Sequence, residues 1–549
     1  AIAEEAAELV RKYKGAFSGE HGDGLCRGEW IAWQFGPAIT EALRAIKQEF
    51  DPQGLFNPGK IIDTPRMDDG RLFRFAPADA PRPYRRIPIT PVLDWSAWNV
   101  QADPVTEVTT APGTGGDVTG GFAKAVEMCN NNGHCRKFDA GTMCPSYRVT
   151  RDEQHLTRGR ANTLRLAISG QLGPDAFTSE AMHDTMDLCV GCKGCRRDCP
   201  TGVDMARMKV EFLAHYKARH GHTLKDRLVA HLPRYAATAS RMPWLLNLRN
   251  RLPVLRQLGE KLLGLSARRS LPAWRSDTFW RAPEAHTLLD RDQALARAAA
   301  GERVAVLFVD TFNGTFESEN ALAAARVLQA AGYALHTASK SGKEGGGHHC
   351  CGRTYLATGM VEQAKASAGA LINALAPLAR AGIPIVGLEP SCLLTLRDEA
   401  LVMGLGEPAQ AVAAQALLFE EFIAREVKAG RFALPLRAAE APILVHGHCH
   451  QKAFGAVSPI LDVLRLIPGA QPELIESSCC GMAGSFGYEA SHHQVSMDMA
   501  EAALLPAIRQ RPEAIVVADG TSCRHQIADG AAREAVHVAR LLESLLDAR

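Results

Sequence analysis

The stretch from Cys189 to Pro200 reads CVGCKGCRRDCP and decides how the chain is interpreted. Its four cysteines are spaced C-x2-C-x2-C-x3-C and are followed by a proline. Four thiolates on one short loop suit an iron–sulfur cluster, in which each iron takes one soft ligand. Glycines between them let the backbone curl around the sulfur atoms. The stretch therefore predicts a redox-active metal cluster rather than disulfides, which large chains rarely need.

The same spacing occurs in bacterial two-cluster ferredoxins, where the fourth cysteine serves the other cluster. A partner set lies upstream as Cys129, Cys135 and Cys144, with Asn132 where a second cysteine would stand. The expected grouping is Cys144, Cys189, Cys192 and Cys195 around one cluster, and Cys129, Cys135 and Cys199 around the other. Three outcomes stay open for the second site: a three-iron cluster, a four-iron cluster completed by water, Asn132 or His134, or no cluster.

Beyond residue 300, short β-branched runs alternate with helical segments, as in a parallel α/β unit. RVAVLFVD begins at Arg303, and ILVHGHCH follows Pro442 in the same role. The cysteines repeat with these runs, which predicts two copies of one module. The candidate cluster ligands are Cys350, Cys351 and Cys392 in the first copy and Cys449, Cys479, Cys480 and Cys523 in the second.

The two copies differ in their expected ligand sets. All four cysteines of the second follow predicted strands and should converge at one edge of its sheet. The first copy has TFNG after its first strand, where a cysteine is expected. His348 and His349 either complete that set or are ordinary loop residues.

With 549 residues, the chain is too long for a single core. We predict a multidomain protein of α/β and α classes. Its expected parts are a C-terminal segment of an α+β domain (1–65), a linker (66–121), a helical two-cluster domain (122–215), a basic helical connector (216–300) and two tandem parallel α/β modules (301–430 and 440–549). Because the chain opens inside what reads as a domain, we also expect further sequence upstream of Ala1.

The net charge of +2 implies no polyanionic partner such as nucleic acid. No apolar run is long enough to span a membrane, and no secretory signal is present, which predicts a cytoplasmic protein. Residues 221–281 carry twelve Lys and Arg against three acidic residues. This segment is compatible with peripheral contact at the inner face of an anionic membrane, for instance through Arg249, Arg251 and Arg256, or with a solvated connector or domain-docking face.

Each of the two α/β modules contains the sequence CCG, at 350–352 and at 479–481. These CCG modules resemble the cysteine-rich domains of heterodisulfide reductase and glycolate oxidase iron–sulfur subunits. SGEHGDGLCRG (18–28) and FDPQGLFNPGKII (50–62) resemble the end of an FAD-linked oxidase domain of the vanillyl-alcohol oxidase superfamily. The order of all parts resembles the large fused D-2-hydroxyglutarate and D-lactate dehydrogenases. That resemblance implies Glu20 as a ligand of a divalent metal (Zn or Mn), His21 near the hydroxyl being oxidised, and Asn57 and Lys60 near the active site.

The resemblance implies an enzyme that oxidises a small D-2-hydroxy-carboxylate at FAD, with the FAD held by an upstream domain. Electrons would then leave through 4Fe–4S clusters to a quinone, an electron-transfer flavoprotein or a cytochrome. The alternative is a non-catalytic electron-transfer subunit of the glycolate oxidase or heterodisulfide reductase type that docks on a separate flavoprotein.

Overall fold

A computed structural model describes residues 2–67, 69, 86–98, 118–138, 141–338 and 349–547. The chain forms two compact units, 1–86 and 87–549. The first contains α1 (Ile2–Lys12) and α2 (Ile31–Phe50), with short 3-10 turns at Gly19–His21 and Gly28–Trp30. Gly36 interrupts α2 with a φ of 81°, and Pro37 follows it, so the helix is kinked there.

The second unit begins with a helical domain. Its helices are α3 (Phe122–Glu127), α4 (Pro145–Thr150), α5 (Thr157–Ile168), α6 (Glu180–Asp187), α7 (Gly194–Asp198) and α8 (Met205–His220). Asp204 caps α8 by accepting a hydrogen bond from the Arg207 N–H. These helices surround an apolar core that includes Phe122, Leu164 and Phe212, each almost fully buried.

Residues 87–98, the pinned segment, belong to the predicted linker and pack against this domain. The buried carboxylate of Glu211 on α8 accepts hydrogen bonds from the N–H groups of Val92 and Leu93, at 2.8 and 3.1 Å, and from Trp95 Nε1 at 2.9 Å. One side chain therefore holds the segment in place. Most of the rest of the predicted linker, 68, 70–85 and 99–117, lies outside the described residues.

The connector is a series of short helices that ends before the first sheet. They are α9 (Leu224–Ala230), α10 (Leu232–Ala239), α11 (Pro243–Leu246), α12 (Leu248–Arg251), α13 (Pro253–Leu263), α14 (Pro283–His286) and α15 (Arg291–Ala299). Prolines at the starts of α11, α13 and α14 explain the repeated breaks, since proline is tolerated only in the first turn. No helix in the described part of the chain is both long and apolar enough to cross a membrane.

Each of the two modules contains a four-stranded parallel sheet. The first has β1 (Val304–Phe308), α16 (Thr311–Thr315), α17 (Ser318–Ala330), β2 (Ala334–His336), α18 (Arg353–Ala357), α19 (Val361–Arg380), β3 (Ile385–Gly387), α20 (Pro390–Leu396), α21 (Gly406–Gln415), β4 (Ala416–Leu418) and α22 (Phe419–Lys428). The second has β5 (Ile443–Val445), α23 (Cys449–Ala453), α24 (Ser458–Leu464), β6 (Glu473–Leu474), α25 (His493–Glu501), α26 (Leu504–Arg509), β7 (Ile515–Val517), α27 (Thr521–Ala531), β8 (Ala535–Val536) and α28 (Val538–Ser544).

Strand order is the same in both sheets, β2-β1-β3-β4 and β6-β5-β7-β8. In register, Val306 pairs with Ile385 in the first sheet, and Ile443 pairs with Ile515 in the second. The central strands are buried on both faces, which explains their continuous apolar sequence. In both modules the cysteine-bearing loops follow the carboxyl ends of the strands, where open α/β sheets place their binding sites.

Candidate metal centres

The helical domain brings Cys144 to the Cys189–Cys199 loop. Cys144 and Cys189 raise the pKa of Cys195 electrostatically, after the larger effect of burial, so the thiols are close neighbours. The Met205 N–H, at the start of α8, donates to Cys195 Sγ at 3.4 Å, and Arg160 donates to Cys144 Sγ at 3.5 Å. Donors of this kind stabilise thiolate charge. The grouping of Cys144 with Cys189, Cys192 and Cys195 stays a prediction, with which these neighbouring thiols agree.

Cys129 and Cys135 lie on a second loop that contains Asn132. Burial raises the pKa of Cys135 to about 11, and the charges of Cys144 and Cys129 add to the effect. Asn132 Oδ1 accepts the His134 N–H at 2.8 Å, and its Nδ2 donates to Asn130 at 2.6 Å. Asn132 therefore shapes the loop through both ends of its amide. The third expected ligand, Cys199, follows α7 with its Sγ 3.3 Å from Thr201 Oγ1.

An open pocket of about 420 Å³ adjoins this loop. It is lined by Asn132, Gly133, Arg136, Lys137, Phe138, Tyr147 and Arg158. The Arg158 guanidinium spans the loop, since a Cβ on Gly133 would lie 3.2 Å from it.

In the second module, all four cysteines are buried and form one connected group of sulfur atoms. A hydrogen bond from Cys479 lowers the pKa of Cys449 to about 6. Hydrogen bonds from Cys479 and Cys523 hold the pKa of Cys480 well below its ordinary value. The same hydrogen bonds and burial raise the pKa values of Cys479 and Cys523. The four sulfur atoms thus form one buried, hydrogen-bonded group that could hold a four-thiolate cluster.

His446 also reaches this group, because ligand atoms of His446, Cys480 and Cys523 all lie within 4.8 Å of one another. Its Nδ1 contacts Ser477 Oγ at 3.0 Å. Burial lowers the pKa of His446 to about 4, which keeps the imidazole neutral at pH 7. Of the alternating histidines 446, 448 and 450, His446 is the one that hydrogen-bonds a cysteine, while His448 Nδ1 caps α23 and His450 Nε2 meets Gly191 O at 3.0 Å.

The first module has the same arrangement with one substitution. Asp310 is the N-cap of α16, as His448 is of α23, so Thr311 occupies the position of Cys449. The N–H groups of Gly352 and Gly481 donate to Cys350 Sγ and Cys479 Sγ, both at 3.4 Å, which shows that the two CCG loops share their geometry.

The thiols of the first module are held neutral. The hydrogen bond with Cys351 and burial raise the pKa of Cys350 well above its ordinary value. For Cys392, a hydrogen bond from Cys351 opposes the shift, but burial and the carboxylates of Asp310 and Glu389 raise the pKa to about 12. Cys350, Cys351 and Cys392 thus lie together without a fourth cysteine. His349 precedes Cys350, and His348 lies outside the described residues.

The predicted catalytic residues lie in the first unit. Glu20 and His21 are exposed on the 3-10 turn Gly19–His21. Lys60 Nζ donates to Asn57 Oδ1 at 3.5 Å. The Ile61 N–H donates to Gly24 O at 2.9 Å, which joins the NPGK segment to the GEHGDG loop. The four residues therefore lie on two adjoining loops.

A buried charge cluster at the junction of the helical domain and first module was missed by sequence reasoning. Lys193 Nζ lies 2.6 Å from Asp398 and 2.7 Å from Glu399, and the side chains of all three are at most 4% exposed. Arg196 and Arg207 also pair with Asp398, and Arg353 pairs with Glu399. The one available signal was a lysine between two ligand cysteines, which gives no hint of a partner 205 residues away.

Three stretches of the chain match known domain families. Residues 1–61 match the C-terminal domain of FAD linked oxidases, residues 125–203 a 4Fe-4S dicluster domain and residues 444–528 a cysteine-rich domain. The motif-based resemblance to these three domains is confirmed.

The chain is homologous to D-2-hydroxyglutarate dehydrogenases. It is 27% identical to that of Escherichia coli and 26% identical to that of Pantoea ananatis, over 96% of this chain and 51% of each relative. It thus spans about half the length of these curated relatives. It is also 25% identical to one subunit of the anaerobic glycerol-3-phosphate dehydrogenase of Escherichia coli, over 59% of this chain and 78% of that protein. No solved structure is significantly similar to it.

Proposed function

We propose that this chain serves in an FAD- and iron–sulfur-dependent dehydrogenase that oxidises a D-2-hydroxyacid, D-2-hydroxyglutarate or D-lactate, and that its role is to carry electrons away from the flavin. The observation that carries the proposal is the meeting of two cysteine sites across a domain boundary. Cys192 of the helical domain packs in the same buried cluster as Cys449, Cys479 and Cys480 of the second module. Contact between two such sites gives electrons a short path from one to the other.

An iron–sulfur cluster, when bound, accepts and donates single electrons. The proposed ligands are Cys144, Cys189, Cys192 and Cys195 for one site, Cys129, Cys135 and Cys199 for a second, Cys449, Cys479, Cys480 and Cys523 for a third, and Cys350, Cys351 and Cys392 for an incomplete fourth. In each, the protein supplies thiolates and excludes water. The N–H donors to Cys195, Cys350 and Cys479 orient the sulfur atoms.

Glu20 and His21 are proposed to act on the substrate. Glu20 would bind a divalent Zn or Mn ion that polarises the 2-hydroxy-carboxylate, and His21 would accept the hydroxyl proton as hydride leaves for FAD. Their exposure leaves both side chains available to a ligand. Asn57 and Lys60, on the adjoining loop, would contact the substrate carboxylate.

The test is anaerobic iron and acid-labile sulfide content, with low-temperature electron paramagnetic resonance. Two complete four-cysteine sites predict about eight irons from these alone. Reduction of these centres by D-2-hydroxyglutarate or D-lactate in the FAD-loaded enzyme, lost in Glu20→Gln, would support the dehydrogenase. Zinc without labile sulfide would refute it.

The alternative, an electron-transfer subunit that acts on a separate flavoprotein, is favoured by the similarity to a single subunit of a glycerol-3-phosphate dehydrogenase. It predicts cluster reduction by an added reduced flavoprotein and unchanged behaviour in Glu20→Gln. The two candidate functions thus predict different behaviour of the Glu20→Gln variant.

The connector is proposed to contact an anionic membrane, which would favour a quinone over a flavoprotein or cytochrome as acceptor. Val254, Leu258 and Leu262 form one stripe of α13 at intervals of four residues and are 72%, 48% and 69% exposed. Trp244 nearby in the chain is 66% exposed. Residues 241–269 hold seven Lys and Arg against Glu260, the charge pattern of a surface that binds anionic lipid.

The structure corrects the choice of lipid-facing arginines. Arg249 donates to the carbonyl oxygens of Ser266 and Arg269, at 2.9 and 3.1 Å, and Arg256 donates to that of Asn250. Both hold the connector together, and of the three only Arg251 is exposed. Substitution of Arg249 or Arg256 would therefore test folding rather than lipid binding.

Vesicle flotation is the appropriate assay for this contact. The Leu258→Glu, Leu262→Glu double variant should lose binding to phosphatidylglycerol vesicles, whereas Leu401→Glu, at an exposed leucine of the first module, should not. Equal vesicle binding by the unmodified chain and by both variants would remove the membrane proposal. A change of oligomeric state without a change in vesicle binding would reassign the stripe to a second copy of the chain.

A further inference from the structure

The helical domain and the second module touch at their cysteine loops. After burial, the charge of Cys449 is the largest influence that raises the pKa of Cys192. The His450 ring contacts Gly191 O at 3.0 Å, and Ser478 Oγ donates to the carbonyl oxygen of Thr142. These contacts involve residues adjacent to cysteines on both sides. They set two predicted metal sites face to face.

The first module meets the helical domain in another way. Its contacts are the ion pairs of Lys193 with Asp398 and Glu399 and an apolar core that the two share, to which it contributes Leu356 and Met360. Where this module approaches the Gly191 loop, the approaching group is the Arg353 guanidinium, 3.8 Å from where a Cβ on Gly191 would lie. Charged and apolar side chains thus make the contact, and the cysteines of the first module lie in a different apolar core.

The surroundings of the two module sites have opposite charge. Beside the second, Lys452 Nζ is buried and donates to Ser477 Oγ and to the carbonyl oxygen of Ser478, both at 3.1 Å, and His446 hydrogen-bonds Cys480. Beside the first lies the buried carboxylate of Asp310, while that of Glu389 lies between the two modules and also accepts the Thr521 N–H of the second at 2.9 Å.

Charge and hydrogen bonds around the sulfur atoms set the reduction potential of a thiolate-bound cluster. Because reduction adds negative charge, a nearby ammonium and N–H donor favour the reduced form, and carboxylates disfavour it. The residues present therefore make the second site the better electron acceptor.

We propose that the second module is the electron outlet of the helical domain, that His446 and Lys452 raise the reduction potential of the group its four cysteines hold, and that the first module lies beside this route. The inference rests on the proposed function. In each step one electron moves: the site at Cys189, Cys192, Cys195 and Cys144 is oxidised as the second-module site is reduced, and no bond forms or breaks. The donor is the flavin of the proposed dehydrogenase, or dithionite in the test below.

The route is tested by paramagnetic resonance on the full chain reduced with dithionite, which requires no substrate. Adjacent reduced sites should broaden or split each other's signals. Cys480→Ala should remove this interaction, and Cys351→Ala, the equivalent change in the first module, should leave it intact. Should either variant fail to fold, Cys523→Ala and Cys392→Ala form the second matched pair.

The tuning is tested by redox titration of His446→Gln and Lys452→Met. Each should lower the ratio of reduced to oxidised second-module sites about tenfold at a fixed potential, ~59 mV for a one-electron couple. His336→Gln is the control, since this buried histidine of the first module bonds Leu289 O at 2.7 Å.

Loss of the magnetic interaction in Cys351→Ala, its survival in Cys480→Ala, or unchanged potentials in both tuning variants would overturn the inference while leaving the proposed function standing. A chain that binds no iron would remove both.

Discussion

In the charge cluster at Asp398, loss of an anion should destabilise the fold more than loss of a cation. Four cations, Lys193, Arg196, Arg207 and Arg353, surround two anions, Asp398 and Glu399. Removing an anion leaves four positive charges against one negative. Removing Lys193 leaves each anion with an arginine.

Asp398→Ala should therefore destabilise the junction by about 3–5 kcal/mol, the range for breaking a buried ion pair from one side. Lys193→Met keeps similar volume and leaves no anion unpaired, so its cost should be about 1–2 kcal/mol. The exposed pair of Arg380 with Glu407 supplies the control: Arg380→Ala should cost less than about 1 kcal/mol.

Because the second unit contains several domains, a single unfolding transition would be hard to interpret. Hydrogen exchange of the amides in α8 and α20, which flank the junction, reports the local free energy of opening. A Lys193→Met cost equal to or above that of Asp398→Ala would refute the charge argument.

The pH dependence of the junction should follow the same logic. Burial alone would raise the pKa of Asp398, but the charges of Lys193, Arg196 and Arg207 hold it well below its usual value. A depressed carboxyl pKa contributes stability that is complete above about pH 4 and is lost as the pH falls. In Asp398→Asn this acid-side loss should shrink.

Three further predictions concern single residues. Glu211→Ala leaves three N–H donors without their acceptor, so it should cost about 3 kcal/mol and expose the pinned segment to limited proteolysis, with Glu211→Gln intermediate. Gly481 has a φ of 85°, and a Cβ there would lie 2.2 Å from a main-chain oxygen. Gly481→Ala should therefore lower the melting temperature of the chain far more than Gly484→Ala, because at Gly484 φ is 66° but the space is open. Burial alone would raise the pKa of Asp187, but a hydrogen bond from His492 lowers it to about 2. This contact should therefore stabilise the chain above about pH 4 and weaken toward pH 2, as measured by urea titrations. Asp187→Asn should abolish that pH dependence.

The sequence allowed most of the fold to be predicted, because buried parallel strands read as short apolar runs between helices. The edge strands β4 and β8 were missed. The first follows α21 directly and reads only ALL, and the second is the dipeptide Ala535–Val536. Runs this short carry no periodicity, and they become strands only because a neighbouring strand offers hydrogen-bond partners.

The cysteines could be proposed as ligands from sequence because ligand chemistry fixes their spacing within one loop. The partners that tune the sites could not. His446 and His450 are equivalent by alternation, yet one meets a cysteine and the other the helical domain. The two adjacent thiols of the second module also differ, since the pKa of Cys480 is lowered and that of Cys479 raised. Tertiary contacts between distant segments decide both the partners of these histidines and the pKa values of these thiols.

The burial of the second-module cysteines bears on how the protein is assembled and damaged. All four are at most 7% exposed, whereas Cys129, Cys189 and Cys199 of the helical domain are partly open to solvent. Because these side chains are buried in the folded module, loading of the proposed cluster with iron and sulfide should precede the final packing of its loops. Peroxide should attack the helical domain first. Repair after oxidative stress can therefore begin at the exposed loops without unfolding the module behind them.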